Sequence, residues 1–164
     1  MLLMNKQAKK NDLQITKESL QSLGKDVVFF PGVDTWFERI NAYGRSLGLE
    51  IEHYIISSGL KEIIEGTSIA HEFKRIYACE FHYNERGNAV WPRQVVNFTT
   101  KTQFLFRISK GVLDVLDDLT LNTYMSDEDR RIPYRNMIYL GDGITDVPCM
   151  KLVKQYGGQS IALY

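Results

Sequence analysis

The stretch MIYLGDGITDVP, residues 137–148, constrains this chain more than any other. An apolar run stops at Gly141, and Asp142 and Asp146 follow at once. Two carboxylates at the tip of a buried strand are costly unless something positive sits near them. Carboxylate oxygens are hard ligands, and Mg²⁺ typically takes one or two of them, with waters and a phosphate oxygen completing its shell. Gly141 and Gly143 let the backbone turn sharply and approach a ligand closely. The plainer alternative is a strand-to-helix turn in which Asp146 caps the next helix, with Pro148 in its first turn. Capping accounts for Asp146 but gives Asp142 nothing to do. The expectation is therefore a metal role for both, with capping as an added duty of Asp146.

The rest of the chain alternates extended and helical patterns. ITKESLQSLGKD reads as a short helix with Thr16 as cap and Gly24 as stop. VVFFPG is a short extended run ending in Pro31 and Gly32. Val33, Trp36, Phe37, Ile40, Tyr43 and Leu47 then recur at helical spacing up to Gly48. IEHYIIS is a buried strand, LKEIIEG a short helix, and KRIYACEF a second strand. HYNERGNAVWP resembles a hairpin turning near Arg86 and Gly87. Thr100 to Gln103 form a Thr-x-x-Gln capping box before a helix with Phe104, Leu105, Ile108, Val112 and Val115 on one face. DDLTLNTYMSDEDRRIP is a polar excursion. NMIYL is the third core strand, VPCMKLVKQYG a helix and SIALY a last strand. Strands alternating with helices predict an α/β domain with a parallel sheet and helices on its faces.

Composition removes several classes of function. The 164 residues suit one domain with a real core. Twenty basic residues balance twenty acidic ones, so no electrostatic footprint for nucleic acid or an anionic membrane exists. No apolar run reaches the ~18 residues of a membrane span, and the apolar stretch in MLLMNKQAKK is too short for a secretory signal. A cytoplasmic protein is expected. Cys79 and Cys149 lack metal-ligand spacing and read as buried reduced thiols. His53, His71 and His82 are scattered and read as surface or satisfied core histidines; Trp36, Trp91 and the tyrosines read as packing residues.

In an open α/β sheet, ligands bind beyond the carboxyl ends of the strands, and two further polar features suit that edge. In YIISSGL, Ser57 and Ser58 end a strand, Gly59 follows and a helix begins. A hydroxyl beside free backbone N–H groups at a helix start can cradle a phosphate; ordinary serine capping would leave the same trace. Lys101 stands first in its helix, where the macrodipole disfavours a cation by a few tenths of a kcal/mol unless an anion offsets it. That conflict is of the kind found at functional sites, although a solvated lysine would also satisfy the pattern.

In this chain order the three features together resemble the haloacid dehalogenase-like (HAD) hydrolase superfamily, most nearly its phosphoserine phosphatase-like branch. The strand ending in Ser57 looks like the second motif, Lys101 like the third, and GDGITD like the fourth with its acidic pair Asp142 and Asp146. The resemblance covers residues 30–164. It implies a three-layer Rossmann-like core and a magnesium-dependent phosphomonoesterase acting on a small phosphorylated metabolite through a phosphoaspartate. It also implies that Ser57, Ser58, Gly59 and Lys101 bind phosphate, that Lys101 and Asp146 assist catalysis, and that Asp142 and Asp146 hold Mg²⁺.

The first motif of that superfamily, Asp-x-Asp-x-Thr or Val after the central strand, is missing from these residues. The one Asp-x-Asp, Asp127 to Asp129, has no strand ahead of it; Asp117 and Asp118 are adjacent; Asp34 heads a helix. VVFFPGVDTWFERI looks like the chain's return from an inserted helical cap, which makes residues 1–26 a cap remnant and 27–164 the core. The expectation is an N-terminally truncated core, lacking the first-motif strand and most of the cap. Such a core would be inactive alone, would bind Mg²⁺ weakly, and would associate with itself through exposed strand edges. The competing reading is a non-catalytic binding or interaction module that keeps the fold. A nucleotide-binding Rossmann domain fits less well, since no Gly-x-Gly-x-x-Gly follows a first strand.

Overall fold

A computed structural model describes residues 1–164, which fall into two compact units, Met1–Val96 and Asn97–Tyr164. In the first unit, α1 (Leu2–Lys10), α2 (Lys17–Gly24) and α3 (Val33–Ser46) precede β1 (His53–Leu60), α4 (Lys61–Glu65), β2 (Phe73–Tyr83) and β3 (Ala89–Gln94). β1 pairs parallel with β2, and β2 pairs antiparallel with β3 through the expected hairpin. Thr16 caps α2 as read from sequence: its side chain accepts from the Ser19 N–H, and Ser19 accepts in return from the Thr16 N–H. Leu20 of α2 packs with Phe81 and Ala89, joined by Ile15, Leu60, Ile63 and Tyr83. The C-terminal ends of α2 and α4 meet where glycine stands on both sides, Gly24 closing α2 and Gly66 following α4. A Cβ on Gly24 would stand 2.2 Å from the Ile63 carbonyl oxygen, and one on Gly66 would stand 1.9 Å from that of Gln21. No side chain fits there.

The second unit contains α5 (Lys101–Lys110), α6 (Asp118–Asn122), β4 (Ile138–Gly141), α7 (Val147–Gln155) and β5 (Gln159–Ala162). β4 and β5 are parallel, with Leu140 opposite Ile161. Phe104, Leu105 and Ile108 of α5, Tyr139 of β4, and Cys149 and Val153 of α7 are buried. The excursion after α5 is tied down by that helix. Arg107 donates to the carbonyls of Asp114, Val115 and Asp117 and to the Asp118 carboxylate, and Lys110 donates to the carbonyls of Leu121 and Thr123.

Several expectations are corrected. The strands form two ladders, β1-β2-β3 and β4-β5, instead of one parallel sheet, and β1 and β4 each have a single ladder partner. VVFF is irregular chain with Val28 and Phe30 exposed, because its apolar side chains find no ladder to join. The Thr100–Gln103 box does not form; the Asn97 side chain instead accepts from the N–H groups of Thr99 and Thr100 ahead of α5. The apolar stripe of α3 is wider than its buried face: Phe37 is buried edge-on against His53 and Phe73, while Trp36, Tyr43 and Leu47 are exposed. Trp91 is exposed too, on a β3 position that faces outward. Both cysteines are buried and unpaired. No helix is long and apolar enough to cross a membrane.

Candidate functional site

Asp146 is the best-defined polar centre of the second unit. β4 ends at Gly141, the loop crosses Asp142 and Gly143, and one turn of 3₁₀ helix leads into α7. A Cβ on Gly141 would lie 2.6 Å from the Asp146 Cβ, so glycine there is what lets the carboxylate fold back over the strand end. Asp146 stands at the N-cap of α7 but makes no side-chain cap bond. Its Oδ1 instead accepts from Lys101 Nζ at 2.7 Å and from the Tyr139 hydroxyl at 2.7 Å. Asp146 and Lys101 are both 5% exposed. The capping alternative for Asp146 and the solvated alternative for Lys101 are both excluded by this pairing.

The electrostatics follow from the geometry. Burial pushes the Asp146 carboxyl up, but the hydrogen bonds from Lys101 and Tyr139, the Lys101 charge and the Gly143 N–H outweigh it. The group is held below the usual carboxylate range. Tyr139 moves the other way, raised by burial and by donating to a carboxylate it cannot lose its proton beside. Cys149 is also raised, chiefly by burial, and its side chain is wholly enclosed. Asp146 thus stays ionised, and a buried lysine is aimed by it.

Asp142 is exposed, four residues before Asp146. No three His, Cys, Asp or Glu side chains come together as a metal-holding group. The donors still suit Mg²⁺ in one respect: the exposed carboxylate of Asp142 is not taken up by the buried pair, and Mg²⁺ accepts a single protein carboxylate with waters and phosphate around it.

In the first unit, β1 runs through Ser57, Ser58 and Gly59 to Leu60, so the helix begins later than the sequence suggested. α4 has Leu60 at its N-cap and no side-chain cap bond, which removes serine capping as an explanation. Ser57 Oγ accepts from the Gly59 N–H at 3.0 Å, and the pairing of β1 with β2 is irregular between Ile56 and Leu60. Ser57 is partly buried, while Ser58 and Gly59 are exposed. Among the histidines, His53 is half-buried and bonded to Asn41, and burial lowers its pKa.

Sequence reasoning missed Tyr139. The signal was a phenol inside an otherwise aliphatic strand two residues before Gly141, at a position facing the buried side. It also missed Glu62, which is 1% exposed in α4.

No family model matches the chain. An uncharacterized protein of Borreliella burgdorferi is 29% identical over 156 residues, a match covering 85% of this chain and 53% of that protein. A HAD family hydrolase of Salmonella enterica serovar Typhi superposes with a TM-score of 0.55 at 17% identity, over 90% of this chain and 47% of that structure. The chain therefore spans about half the length of each of these two proteins. At that identity the likeness speaks to architecture, and the architecture is that of a HAD-like α/β fold.

Proposed function

We propose that these residues carry the second, third and fourth motifs of a magnesium-dependent HAD-type phosphomonoesterase, of the phosphoserine phosphatase-like branch, and lack the nucleophile motif. The observation that carries this reading is the buried Lys101–Asp146 pair beside the GDGITD loop, on a chain whose fold is HAD-like. Lys101 supplies the positive charge that offsets phosphate and nucleophile, and Asp146 holds it in place. Asp142 would ligate Mg²⁺, which neutralises charge on a phosphoryl oxygen when bound. Ser57, with Ser58 and Gly59 after it, would contact the phosphoryl oxygens. Residues 1–26 would then belong to a helical cap, and the substrate would be a small phosphorylated metabolite selected by that cap. A carboxylate nucleophile would divide the reaction into two easier steps. Without it the remaining groups bind but do not turn over.

Amide resonances of the whole 164-residue chain, followed during titration with inorganic phosphate and Mg²⁺, test the reading. Shifts at Ser58, Gly59 and Lys101, weakened by Asp142→Asn, are the expected result, with Mg²⁺ affinity of about millimolar or poorer for so incomplete a shell. Phosphate-induced shifts confined to other residues would count against it and favour a non-catalytic module that keeps the fold.

A further inference from the structure

A second polar site lies wholly within the first unit. A cavity of about 280 Å³ is walled by Lys17, Lys61, Arg93, Glu62, Glu65 and Glu80. None of Ser57, Ser58 or Gly59 lines it. At the mouth the charges are knitted together: Lys17 pairs with Glu65 at 3.1 Å, Lys61 with Glu65 at 3.7 Å and with Glu80 at 3.3 Å, and Arg93 with Glu80 at 3.5 Å. Three cations against two carboxylates leave this rim with one excess positive charge.

The sixth group differs from the others. Glu62 is 1% exposed and belongs to no ion pair. Its Oε1 accepts from the Phe81 N–H at 2.9 Å and from the Tyr83 hydroxyl at 2.6 Å, whereas its Oε2 has no partner. Tyr83 keeps the proton it donates, since burial and the hydrogen bond to Glu62 both raise its pKa. A buried carboxylate oxygen without a donor is unfavourable. Glu62 also lines the cavity, so a ligand N–H entering there would supply the missing donor.

We infer that this cavity binds a small zwitterion of the amino-acid class, its ammonium donating to Glu62 Oε2 and its carboxylate meeting the cationic excess of the rim. The charges decide between ligands. A simple anion would meet Glu62, and a simple cation would add to a rim already positive; a dipolar molecule satisfies both ends. The volume, just below the ~300 Å³ at which ordinary ligand pockets begin, limits the ligand to a few heavy atoms.

Amide spectra of the whole chain, titrated with glycine and separately with trimethylglycine, test this directly. The two probes carry the same charges, but trimethylglycine has no N–H to donate. Glycine should produce saturable shifts around Phe81 and Tyr83, and trimethylglycine none. Glu62→Gln should weaken glycine binding by about tenfold or more. Its amide oxygen must keep facing the Phe81 N–H and the Tyr83 hydroxyl, which turns an NH₂ toward the ligand's ammonium. Arg93→Ala, at an exposed residue that cannot endanger the fold, should weaken it by about threefold. Absence of saturable glycine shifts, an equal response to trimethylglycine, or unchanged affinity in Arg93→Ala would each overturn the inference. All three criteria hold even if Glu62→Gln fails to fold.

Discussion

Lys101 and Asp146, 45 positions apart in the chain, meet at 2.7 Å with both side chains almost wholly buried. A lysine at the first position of a helix opposes the macrodipole, and a carboxylate in the core opposes desolvation. Each residue removes the other's penalty. The pair also fixes α5 against the start of α7, so the loop that presents Asp142 rests on a rigid base.

Removing one partner should therefore cost more than the pair is worth. Asp146→Ala leaves a buried ammonium uncompensated and is expected to destabilise the second unit by about 3–5 kcal/mol. Replacing both, as in Lys101→Met with Asp146→Leu, should cost distinctly less than Asp146→Ala. Hydrogen exchange of the α5 and α7 amides measures this; equal protection in wild type and Asp146→Ala would contradict it.

The pH dependence has a definite sign. The folded-state pKa of Asp146 is depressed, so the stability it supplies is fully present above the unfolded value of about 3.9 and is lost as pH falls through the lower folded value. Acid denaturation followed by circular dichroism should show a loss below about pH 4 that is shallower in Asp146→Asn. An identical acid limb in the two proteins would show that Asp146 is not ionised by its partners.

Tyr139 holds the carboxylate from the strand side. Tyr139→Phe keeps the packing and deletes one hydrogen bond to a charged group, a loss of about 1.5–3 kcal/mol. The Asp146 carboxyl pKa, read by carbon NMR, should rise in this variant. No change would mean that Lys101 alone sets it.

Assembly follows from the strand edges. β1 and β4 each have a single ladder partner, and the outward side of the β4-β5 ladder carries Ile138, Leu140, Ile161 and Leu163, all exposed. Unpaired edges and apolar faces invite a second copy, so light scattering should report a dimer or larger. A stable monomer at micromolar concentration would contradict this.

Much of this was legible in the sequence, for identifiable reasons. α2, α5, α7, the hairpin and β4 carry strong local signals: a cap, a helical period, a turn, an apolar run. Lys101 and Asp146 could be singled out because each breaks a local rule. What could not be read were the nonlocal choices. VVFF has strand composition, yet a strand needs a partner edge, and none is written in its own residues. Thr100 stands at the N-cap of α5 without a side-chain cap bond, and Asn97 instead closes the turn ahead of the helix, because both residue types accept backbone N–H groups well and only backbone geometry decides. Tyr139 left only the faint signal of a phenol in an aliphatic strand and Glu62 left none, since their roles depend on what lies opposite them after folding.

The central claim is that these residues hold a phosphoryl site that lacks its nucleophile. Magnesium-dependent release of phosphate from a generic phosphomonoester tests it most directly. The 164-residue chain should be compared with the polypeptide obtained when the reading frame is extended upstream of Met1. The account predicts an Asp-x-Asp strand in that extension, turnover by the longer polypeptide that Asp142→Asn abolishes, and none by the shorter chain. Turnover by the 164 residues alone, or an inert longer polypeptide, would contradict it.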